Sequence, residues 1–236
     1  MSKDSAFATH GYAFFDLDHT LIPMDSDFGW GNYTVELGWV NRDAFSRQND
    51  AFYAQYKSGI MDIHAYIKFA TQALRERTPR ECIDARARYI DSVIAPVVSP
   101  QALALVQKHQ AVGDTVVLVT ATNVFVTTPI APLFGIEHLI AVDLAIDRHT
   151  GWYNGAIAGT PSFREGKVER VAHWLQSRGT AFGAAKTTFY SDSINDLPLL
   201  QAVDTAVAVN PDPVLRRAAL ENGWPVLDLF GPAILP

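Results

Sequence analysis

One short run of the sequence restricts the fold more than any other. Residues 115–120 read Thr-Val-Val-Leu-Val-Thr, an uninterrupted apolar and β-branched stretch. A run without polar alternation is typical of a strand that is buried on both faces, and such strands occur mainly in parallel sheets covered by helices. Helical and strand-like segments alternate from here to the end of the chain. This alternation predicts βαβ units and an α/β fold, a parallel sheet with helices on both faces.

The other predicted elements follow from apolar periodicity and from capping residues. Ser99 is typical of a helix start and Gly113 of its end. Ser162 and Glu165 form a capping-box pattern, which predicts the start of a helix that ends at Gly179. The remaining predicted strands are 12–16, 139–146, 186–192, 205–209 and 224–227, with a hairpin over 147–159. The remaining predicted helices are 123–134, 194–201 and 212–221.

A long helical block separates the first strand from the rest of the sheet. Residues 26–95 are rich in Ala, Gln, Arg and Lys, with apolar residues three or four positions apart, and no part of them is typical of a strand. We therefore expect a small helical domain, residues 24–98, inserted into an α/β core that consists of residues 1–23 and 99–236.

Composition limits the classes of partner. The 236 residues carry 19 Lys and Arg against 25 Asp and Glu, a formal net charge of −6 without a basic stripe, so nucleic acid is not an expected partner. No apolar run approaches the roughly 18–20 residues of a membrane-spanning helix, and the N-terminus lacks the apolar run of a signal peptide. The single cysteine, Cys82, cannot form an intrachain disulfide. We expect a cytoplasmic protein without nucleic-acid or membrane partners.

Polar side chains follow several of the predicted strands. If the strands are parallel, their carboxyl ends meet at one edge of the sheet, which is where ligand sites of open α/β sheets lie. A lysine that opens a predicted helix is expected at the same edge. The chemistry-bearing residues predicted to converge there are Asp16, Asp18, Thr120, Lys167, Asp192, Asn195 and Asp196.

Taken singly, most of these residues have a simpler structural interpretation. Asp192 or Ser193 could cap the following helix, and Asp18 could cap a turn. Thr120 could be an ordinary β-branched strand residue. Lys167 could be a solvated lysine on the first turn of a helix, although a cation there opposes the helix dipole.

Asp16 is harder to explain structurally. A carboxylate directly after the apolar pair Phe14 and Phe15 is costly to bury unless it is paired or bound to a metal. Four carboxylates at one edge also repel each other, and a divalent cation is the simplest compensation. Oxygen ligands without Cys or His favour Mg²⁺. Mg²⁺ with carboxylates, a hydroxyl and a lysine has the composition of a phosphoryl-transfer site, where a carboxylate can act as the nucleophile.

Four short motifs resemble those of one known family. The segments Asp-Leu-Asp-His-Thr at 16–20, the strand that ends in Thr120, Glu-Gly-Lys at 165–167 and Ser-Asp-Ser-Ile-Asn-Asp-Leu-Pro at 191–198 resemble, in order and spacing, the motifs of the haloacid dehalogenase superfamily. The helical block between the first two motifs makes the chain similar to subfamily IB, which has a helical cap there and includes the phosphoserine phosphatases. The resemblance implies a Rossmann-like core with a cap, and a Mg²⁺-dependent phosphatase acting on a small phosphorylated metabolite.

The resemblance also implies a role for each motif residue. Asp16 is expected to attack phosphorus, Asp18 to act as general acid and then base, and Lys167 to neutralise negative charge. Thr120 and the main chain of Ala121 are expected to bind phosphate oxygens. The expected metal ligands are Asp16, the main-chain carbonyl of Asp18, and Asp192, with Asn195 and Asp196 in the outer shell of the metal.

The cap usually sets the substrate in this family. Asp25 stands where phosphoserine phosphatases carry a Glu that contacts the substrate amine, so Asp25 is expected to bind an amine-bearing substrate. Counting from Gly59 places Lys68 where those enzymes carry an Arg for the substrate carboxylate, and Lys is a poor substitute for a bidentate Arg. Histidinol phosphate, an amino-phosphate without a carboxylate, therefore competes with phosphoserine. The aromatic residues of the cap could stack on a substrate ring or form the core of the cap.

Some functional alternatives stay open from the residues alone. The aspartyl-phosphate could be hydrolysed, or a phosphotransferase could pass the phosphoryl group to an acceptor alcohol. A non-catalytic phospho-ligand module would need a broken motif, and none is broken. His19 stands where the family often has Gly or another small residue, and we expect it to fill a loop position rather than to catalyse. A cap also predicts closure over the core, about hinges near residues 22–25 and 94–100.

Overall fold

The computed structural model of the protein describes residues 10–231, and its centre is a six-stranded sheet. The strands along the chain are β1 Tyr12–Phe15, β2 Thr115–Asn123, β3 His138–Val142, β4 Leu144–Ile146, β5 Tyr153–Ile157, β6 Thr187–Ser191, β7 Thr205–Val209 and β8 Val226–Leu227. The sheet has the order β3-β2-β1-β6-β7-β8, and all its pairs are parallel. β4 and β5 form a separate antiparallel hairpin. The predicted α/β fold with a parallel sheet is confirmed.

Helices account for most of the remaining described residues. They are α1 Ser26–Glu36, α2 Arg42–Lys57, α3 Ile63–Ala70, α4 Gln72–Arg75, α5 Pro79–Tyr89, α6 Pro100–Ala111, α7 Val124–Thr127, α8 Glu165–Ser177, α9 Leu197–Ala202 and α10 Pro213–Asn222. Ser99 caps α6 as predicted, because its hydroxyl accepts a hydrogen bond from the main-chain N–H of Ala102. Short 3₁₀ turns cover Ala131–Phe134 and Ile194–Asp196.

The block between β1 and α6 is helical, as the sequence predicts. Helices α1 to α5 fill it, and none of its described residues belongs to a strand. A capping box begins α5: the Thr78 hydroxyl accepts from the N–H of Glu81, and the Glu81 carboxylate accepts from the N–H of Thr78. At its far end α5 continues into a π-helical turn, Ile90–Ile94, and a 3₁₀ turn, Ala95–Val97. Such irregular turns often mark hinges, and these lie beside the second hinge expected from the sequence.

Two of the predicted elements are each divided in the structure. The predicted strand 139–146 is two strands: β3 ends at Val142, and after Asp143 the chain leaves the sheet and forms β4 in the hairpin with β5. The predicted helix 123–134 is wrong. Its segment forms the one-turn helix α7 and a separate 3₁₀ turn, because Pro129 and Pro132 supply no N–H for a continuous helix.

The predicted capping box before α8 is wrong as well. The helix begins at Glu165, its N-cap position is Arg164, and no side chain caps it. The Ser162 hydroxyl is instead buried without a hydrogen-bond partner among the described residues. Arg164 adopts a positive φ of 53°, a conformation that is costly for a residue other than glycine. The entry to α8 is therefore set by this bend and by its tertiary contacts rather than by a local cap.

The core lies on both faces of the sheet, and successive residues of β1 point into opposite halves of it. Ala13 and Phe15 belong to the cluster that packs under α5 and α6, whereas Phe14 belongs to the cluster under α8, α9 and α10. The rings of Phe15 and Tyr190 stack with centroids 4.5 Å apart. Burial on both sides explains why the strands carry continuous apolar runs, and it holds the end of β1 rigidly in the sheet.

No single helix in residues 10–231 is long and apolar enough to cross a membrane. One bent pair, Pro79–Val97 with Pro100–Ala111, passes a test of length and composition alone, with an angle of 89° between its two parts.

The packing of α10 on the sheet predicts unequal effects of the same substitution at two leucines. Leu215 is fully buried and Leu220 is 71% exposed on the same helix. We expect Leu215→Ala to lower the free energy of unfolding by about 2–5 kcal/mol, because it leaves a cavity. Leu220→Ala, the matched control, should change it by no more than about 0.5 kcal/mol. Urea unfolding of both variants measures this, and equal effects would contradict the packing.

Candidate active site

The end of β1 places a carboxylate at the carboxyl edge of the sheet. The main-chain N–H of Asp16 donates to the carbonyl of Tyr190 at 2.9 Å, so the residue is still held by the neighbouring strand β6. The residue is only 6% exposed. Phe14 and Phe15, which precede it, are fully buried. The apolar run of β1 therefore fixes the position and direction of the Asp16 carboxylate.

A buried lysine bridges Asp16 to a second carboxylate. Lys167 Nζ lies 2.8 Å from Asp16 Oδ1 and 2.7 Å from Asp196 Oδ2. The Ser191 hydroxyl also donates to Asp196 Oδ2 at 2.7 Å. Burial opposes the charge of Lys167, but the two carboxylates outweigh burial and raise its pKa above the usual range. The interpretation of Lys167 as a solvated surface lysine is wrong, since this residue is 2% exposed.

Asp18 is held by donors on both of its oxygens. Its Oδ1 accepts from the main-chain N–H of Ser26 at 2.7 Å, and its Oδ2 accepts from the Thr122 hydroxyl at 2.8 Å. Burial, and then the charge of Asp25, raise the pKa of Asp18 to about 6. A pKa near neutrality suits a group that both gives and takes a proton. Thr122 is not among the residues predicted for the site, although its place two residues after Thr120 at the same strand end was a usable signal.

The remaining carboxylates leave this edge with an excess of negative charge. Burial, and then the neighbouring Asp16, raise the pKa of Asp192. Burial raises the pKa of Asp16 itself to about 7, although Lys167 opposes this shift. The Thr20 hydroxyl donates to Asp192 Oδ1 at 3.3 Å. Among the described residues, Lys167 is the one cationic side chain that contacts Asp16 or Asp196. Its single positive charge does not balance all the carboxylates of the cluster.

The residues present fit an oxygen-ligated divalent cation. The carboxylates of Asp16 and Asp192 line the same pocket, and burial raises the pKa of both although Lys167 opposes the shift. A divalent cation there would favour their charged forms. The described chain holds no group of three or more His, Cys, Asp or Glu side chains arranged to bind a metal ion. Mg²⁺ does not require one, since it commonly takes one or two carboxylates and keeps water and phosphate oxygens as its other ligands.

The end of β2 supplies polar groups to the same pocket. Thr120 is fully buried, and its hydroxyl accepts from the main-chain N–H of Thr122 at 3.0 Å. Thr120 and Ala121 both line the pocket beside Asp16 and Asp18. The structure therefore brings this strand end next to the two aspartates, as the sequence predicts.

Asn195 contacts the helical block. Its Nδ2 donates to the carbonyl of Tyr56 at 3.0 Å, and its Oδ1 accepts from Arg164 Nε at 3.3 Å. The guanidinium of Arg164 also donates to the carbonyl of Gly59. These contacts join the end of α2 and the loop after it to the carboxyl edge of the sheet. No sequence signal pointed to Arg164, because its role depends on the bend before α8.

His19 occupies a strained position in the loop after β1. Its φ is 55°, which explains why glycine suits this place. The carbonyl of His19 accepts from Asn210 Nδ2 at 3.1 Å, while its Nε2 is buried without a hydrogen-bond partner among the described residues. Burial lowers the pKa of His19 although Asp18 opposes this shift. Its side chain lines the pocket.

The pocket reaches from this edge into the helical block. Asp25 lies at its wall and is also the N-cap of α1, where Oδ1 accepts from the main-chain N–H groups of Asp27 and Phe28. Lys68 is exposed on α3 and does not line the pocket, so the position expected for a carboxylate-binding residue is not filled by it. The lining side chains from the helical block are Asp25, Asp27, Phe28, Asn49, Phe52, Tyr53, Tyr56, Met61 and Tyr66.

Comparison with known proteins gives consistent results. A family model for haloacid dehalogenase-like hydrolases matches residues 13–201. A histidinol-phosphatase of Neisseria meningitidis serogroup C (strain 8013) is 43% identical over 217 residues, which cover 92% of this chain and 97% of that one. A crystal structure of a Bordetella pertussis Tohama I protein of unknown function is 44% identical with a TM-score of 0.88, covering 94% of this chain and all of that one.

A substrate-bound phosphoserine phosphatase shares the fold. Its TM-score is 0.65 at 14% identity, with 90% of this chain and 98% of that one covered. The family match and the relatives identify the chain as a phosphoric monoester hydrolase, an enzyme that acts on small phosphorylated metabolites. Within that class, the chain belongs to the haloacid dehalogenase-like hydrolase family.

The ion pairs of Lys167 predict that its charge is needed for activity. Lys167→Met keeps the length of the side chain but leaves Asp16 and Asp196 without their cation. We expect kcat/KM for an aryl phosphate to fall by at least about 100-fold, the usual scale for losing one electrostatic group at a reacting centre. Lys186→Met removes the same charge from an exposed site and is the matched control. Near-wild-type turnover by a folded Lys167→Met variant would refute the prediction.

Proposed function

We propose that the protein is a Mg²⁺-dependent phosphatase that hydrolyses a small phosphomonoester through an aspartyl-phosphate intermediate. The observation that carries the proposal is the buried bridge of Lys167 between Asp16, which lines the pocket, and Asp196. Lys167 holds Asp16 Oδ1, which leaves Oδ2 available to a metal or to a phosphorus atom. Asp18 lies in the same pocket with a pKa near neutrality. The site thus joins a nucleophile, a proton carrier and a fixed positive charge.

The proposed metal ligands are Asp16, the main-chain carbonyl of Asp18, and Asp192. Bound there, Mg²⁺ would neutralise charge on the phosphoryl oxygens and reduce repulsion between the phosphate and the carboxylates. Asp196 acts indirectly, because its ion pair orients Lys167 toward Asp16. Asn195, which the sequence places in the outer shell of the metal, bonds instead to Tyr56 and Arg164, so we assign it chiefly to holding the helical block.

The residues of the chain divide the reaction into two displacements. Asp16 attacks phosphorus, the bond to the leaving oxygen breaks, and Asp18 gives its proton to that oxygen. Water then attacks the same phosphorus, Asp18 takes a proton from the water, and phosphate leaves as Asp16 regains its carboxylate. Thr120 and the main chain of Ala121 bind phosphoryl oxygens, and Lys167 stabilises charge in both transition states.

We further propose that residues 24–98 are a cap domain over a core formed by residues 1–23 and 99–236. The cap supplies the aromatic wall of the pocket, so it must move to admit a substrate and close to exclude water. The irregular helical turn Ile90–Ile94 beside the second joint supports this motion. Arg164 and Asn195, which bond to Gly59 and Tyr56 of the cap, hold the closed arrangement.

The substrate that the site supports best is histidinol phosphate. One support is the N. meningitidis histidinol-phosphatase, which aligns over nearly its whole length. The other is the chemistry of the pocket, which has acids at its cap end and aromatic walls. Of the described residues that line it, none is Arg or Lys, so nothing there would bind the carboxylate of phosphoserine. The resemblance to phosphoserine phosphatases extends to the fold and to the phosphate end of the site.

A substrate panel with metal control tests this proposal. We expect purified protein with Mg²⁺ to hydrolyse histidinol phosphate with a higher kcat/KM than phosphoserine or an aryl phosphate. Chelation should abolish turnover, and added Mg²⁺ should restore it. Phosphate and free alcohol should form in equal amounts even when acceptor alcohols are present. A phosphorylated acceptor would identify a phosphotransferase, and a preference for phosphoserine would overturn the substrate assignment.

The two aspartates of the first motif should fail in different ways. Asp16→Asn removes the nucleophile, so we expect neither turnover nor a covalent intermediate. Asp18→Asn keeps the nucleophile but cannot activate water, so a substrate with a good leaving group, such as an aryl phosphate, should still phosphorylate Asp16. Intact-protein mass spectrometry after acid quench should then show an accumulated phosphoryl adduct on Asp18→Asn. Adduct formation by Asp16→Asn would refute the assignment of the nucleophile.

A further inference from the structure

Two acids that line the pocket, Asp25 and Asp27, have no part in the proposed reaction, and Asp27 is the more buried of the two. Asp27 lies in the first turn of α1, is 4% exposed and lines the pocket at its cap end. Its Oδ1 accepts from Asn123 Nδ2 at 2.9 Å. Its Oδ2 is buried and has no hydrogen-bond partner among the described residues. A buried acceptor left unpaired costs about 1–3 kcal/mol, more for a charged group. A charged Asp27 therefore needs a partner for its Oδ2.

Within residues 10–231, no cation is among the groups that shift the pKa of Asp27. Burial, and then the charge of Asp25, raise the pKa of Asp27 to about 7. The Tyr66 hydroxyl lies beside the carboxylate and partly offsets this shift, but no donor reaches Oδ2 in hydrogen-bond geometry. Asn123, at the end of β2, fixes the other oxygen. Asp27 is therefore a positioned acceptor whose remaining oxygen lacks a partner.

Asp25 differs from Asp27 in both respects. Its Oδ1 is occupied as the N-cap of α1, where it accepts from two main-chain N–H groups. The charge of Lys57 also helps to lower its pKa, against the larger effect of burial. Asp25 therefore caps a helix and has a cation nearby. Of the two acids at the cap end, Asp27 is the one whose unpaired oxygen is buried.

We propose that Asp27 determines substrate specificity by accepting a hydrogen bond from a cationic N–H group of the substrate, an ammonium or an imidazolium. This inference rests on the proposed function and deepens it, because it names the residue that reads the end of the substrate remote from phosphorus. Phe28, Phe52 and Tyr66 line the same pocket, and their faces suit a flat cationic ring. The same carboxylate would repel a substrate carboxylate, which gives discrimination against phosphoserine.

The test compares two substrates in each variant. Asp27→Asn keeps the shape of the side chain but can place an amide NH₂, a donor, where Oδ2 faced the substrate. We expect the ratio of kcat/KM for histidinol phosphate to kcat/KM for p-nitrophenyl phosphate to fall about 10- to 100-fold, mostly through KM for histidinol phosphate. Asp50→Asn is the matched control, because it removes an exposed acid from α2 in the same helical block. It should leave the ratio unchanged.

Substrate analogues identify the group that binds Asp27. They also allow the contact to be tested on the wild-type protein, without a variant. Phenylalaninol phosphate retains the ammonium but lacks the imidazole, and imidazolylpropyl phosphate retains the imidazole but lacks the ammonium. The analogue without the group read by Asp27 should be a poorer substrate of the wild type by about 10-fold or more, and Asp27→Asn should affect it least. If Asp27→Asn does not fold, the wild-type comparison decides: equal kcat/KM for both analogues and for histidinol phosphate would overturn the inference.

The outcomes separate this inference from the function on which it rests. If the wild-type protein has no preference for histidinol phosphate over p-nitrophenyl phosphate, the substrate assignment fails. If that preference exists and Asp27→Asn retains it, the substrate assignment stands and the role of Asp27 is refuted. Equal loss in Asp27→Asn and Asp50→Asn would show a general effect of cap charge, which also refutes the specific contact.

Discussion

The structure depends on one buried interaction, the bridge of Lys167 between Asp16 and Asp196. Three charged groups at the end of a parallel sheet would each be costly to bury alone. Together they are compatible with burial because their charges partly cancel and their donors and acceptors are paired, with Ser191 completing the set at Asp196. The bridge joins residues from the first strand, from α8 and from the loop after β6, so the site exists only when the sheet has its native order.

The bridge also explains the unusual entry to α8. A lysine in the first turn of a helix opposes the helix dipole, and here no side chain caps that end. Tertiary contacts supply what the local sequence lacks, since Arg164 bonds to Gly59 and Asn195 while Lys167 bonds to the two carboxylates. The region therefore departs from local rules at the point where the chemistry lies, as functional sites commonly do.

The sequence predicted the parts of the molecule that depend on local pattern. The continuous run at 115–120 indicated a parallel sheet, and the motif order brought Asp16, Thr120 and Lys167 to one edge. Boundaries failed where a single residue or long-range packing decides, as with Pro132 in the segment 123–134 and the break at Asp143. The sequence also could not predict which carboxylate oxygens have hydrogen-bond partners. Counting along the chain selected Asp25, but it could not show that this acid caps α1 while Asp27 has a buried, unpaired oxygen.

The two ends of the pocket are both acidic, yet they suit opposite charges. At the sheet edge Lys167 already offsets the carboxylates, and a divalent cation would reverse the local sign and attract a phosphate. At the cap end Lys57 only partly compensates Asp25, and no cation among the described residues lowers the pKa of Asp27. A phosphate ester with a cationic group at its other end matches both potentials at once. A phosphate ester with a remote carboxylate matches only the first, so under the proposed function we expect charge placement within a shared fold to discriminate between them.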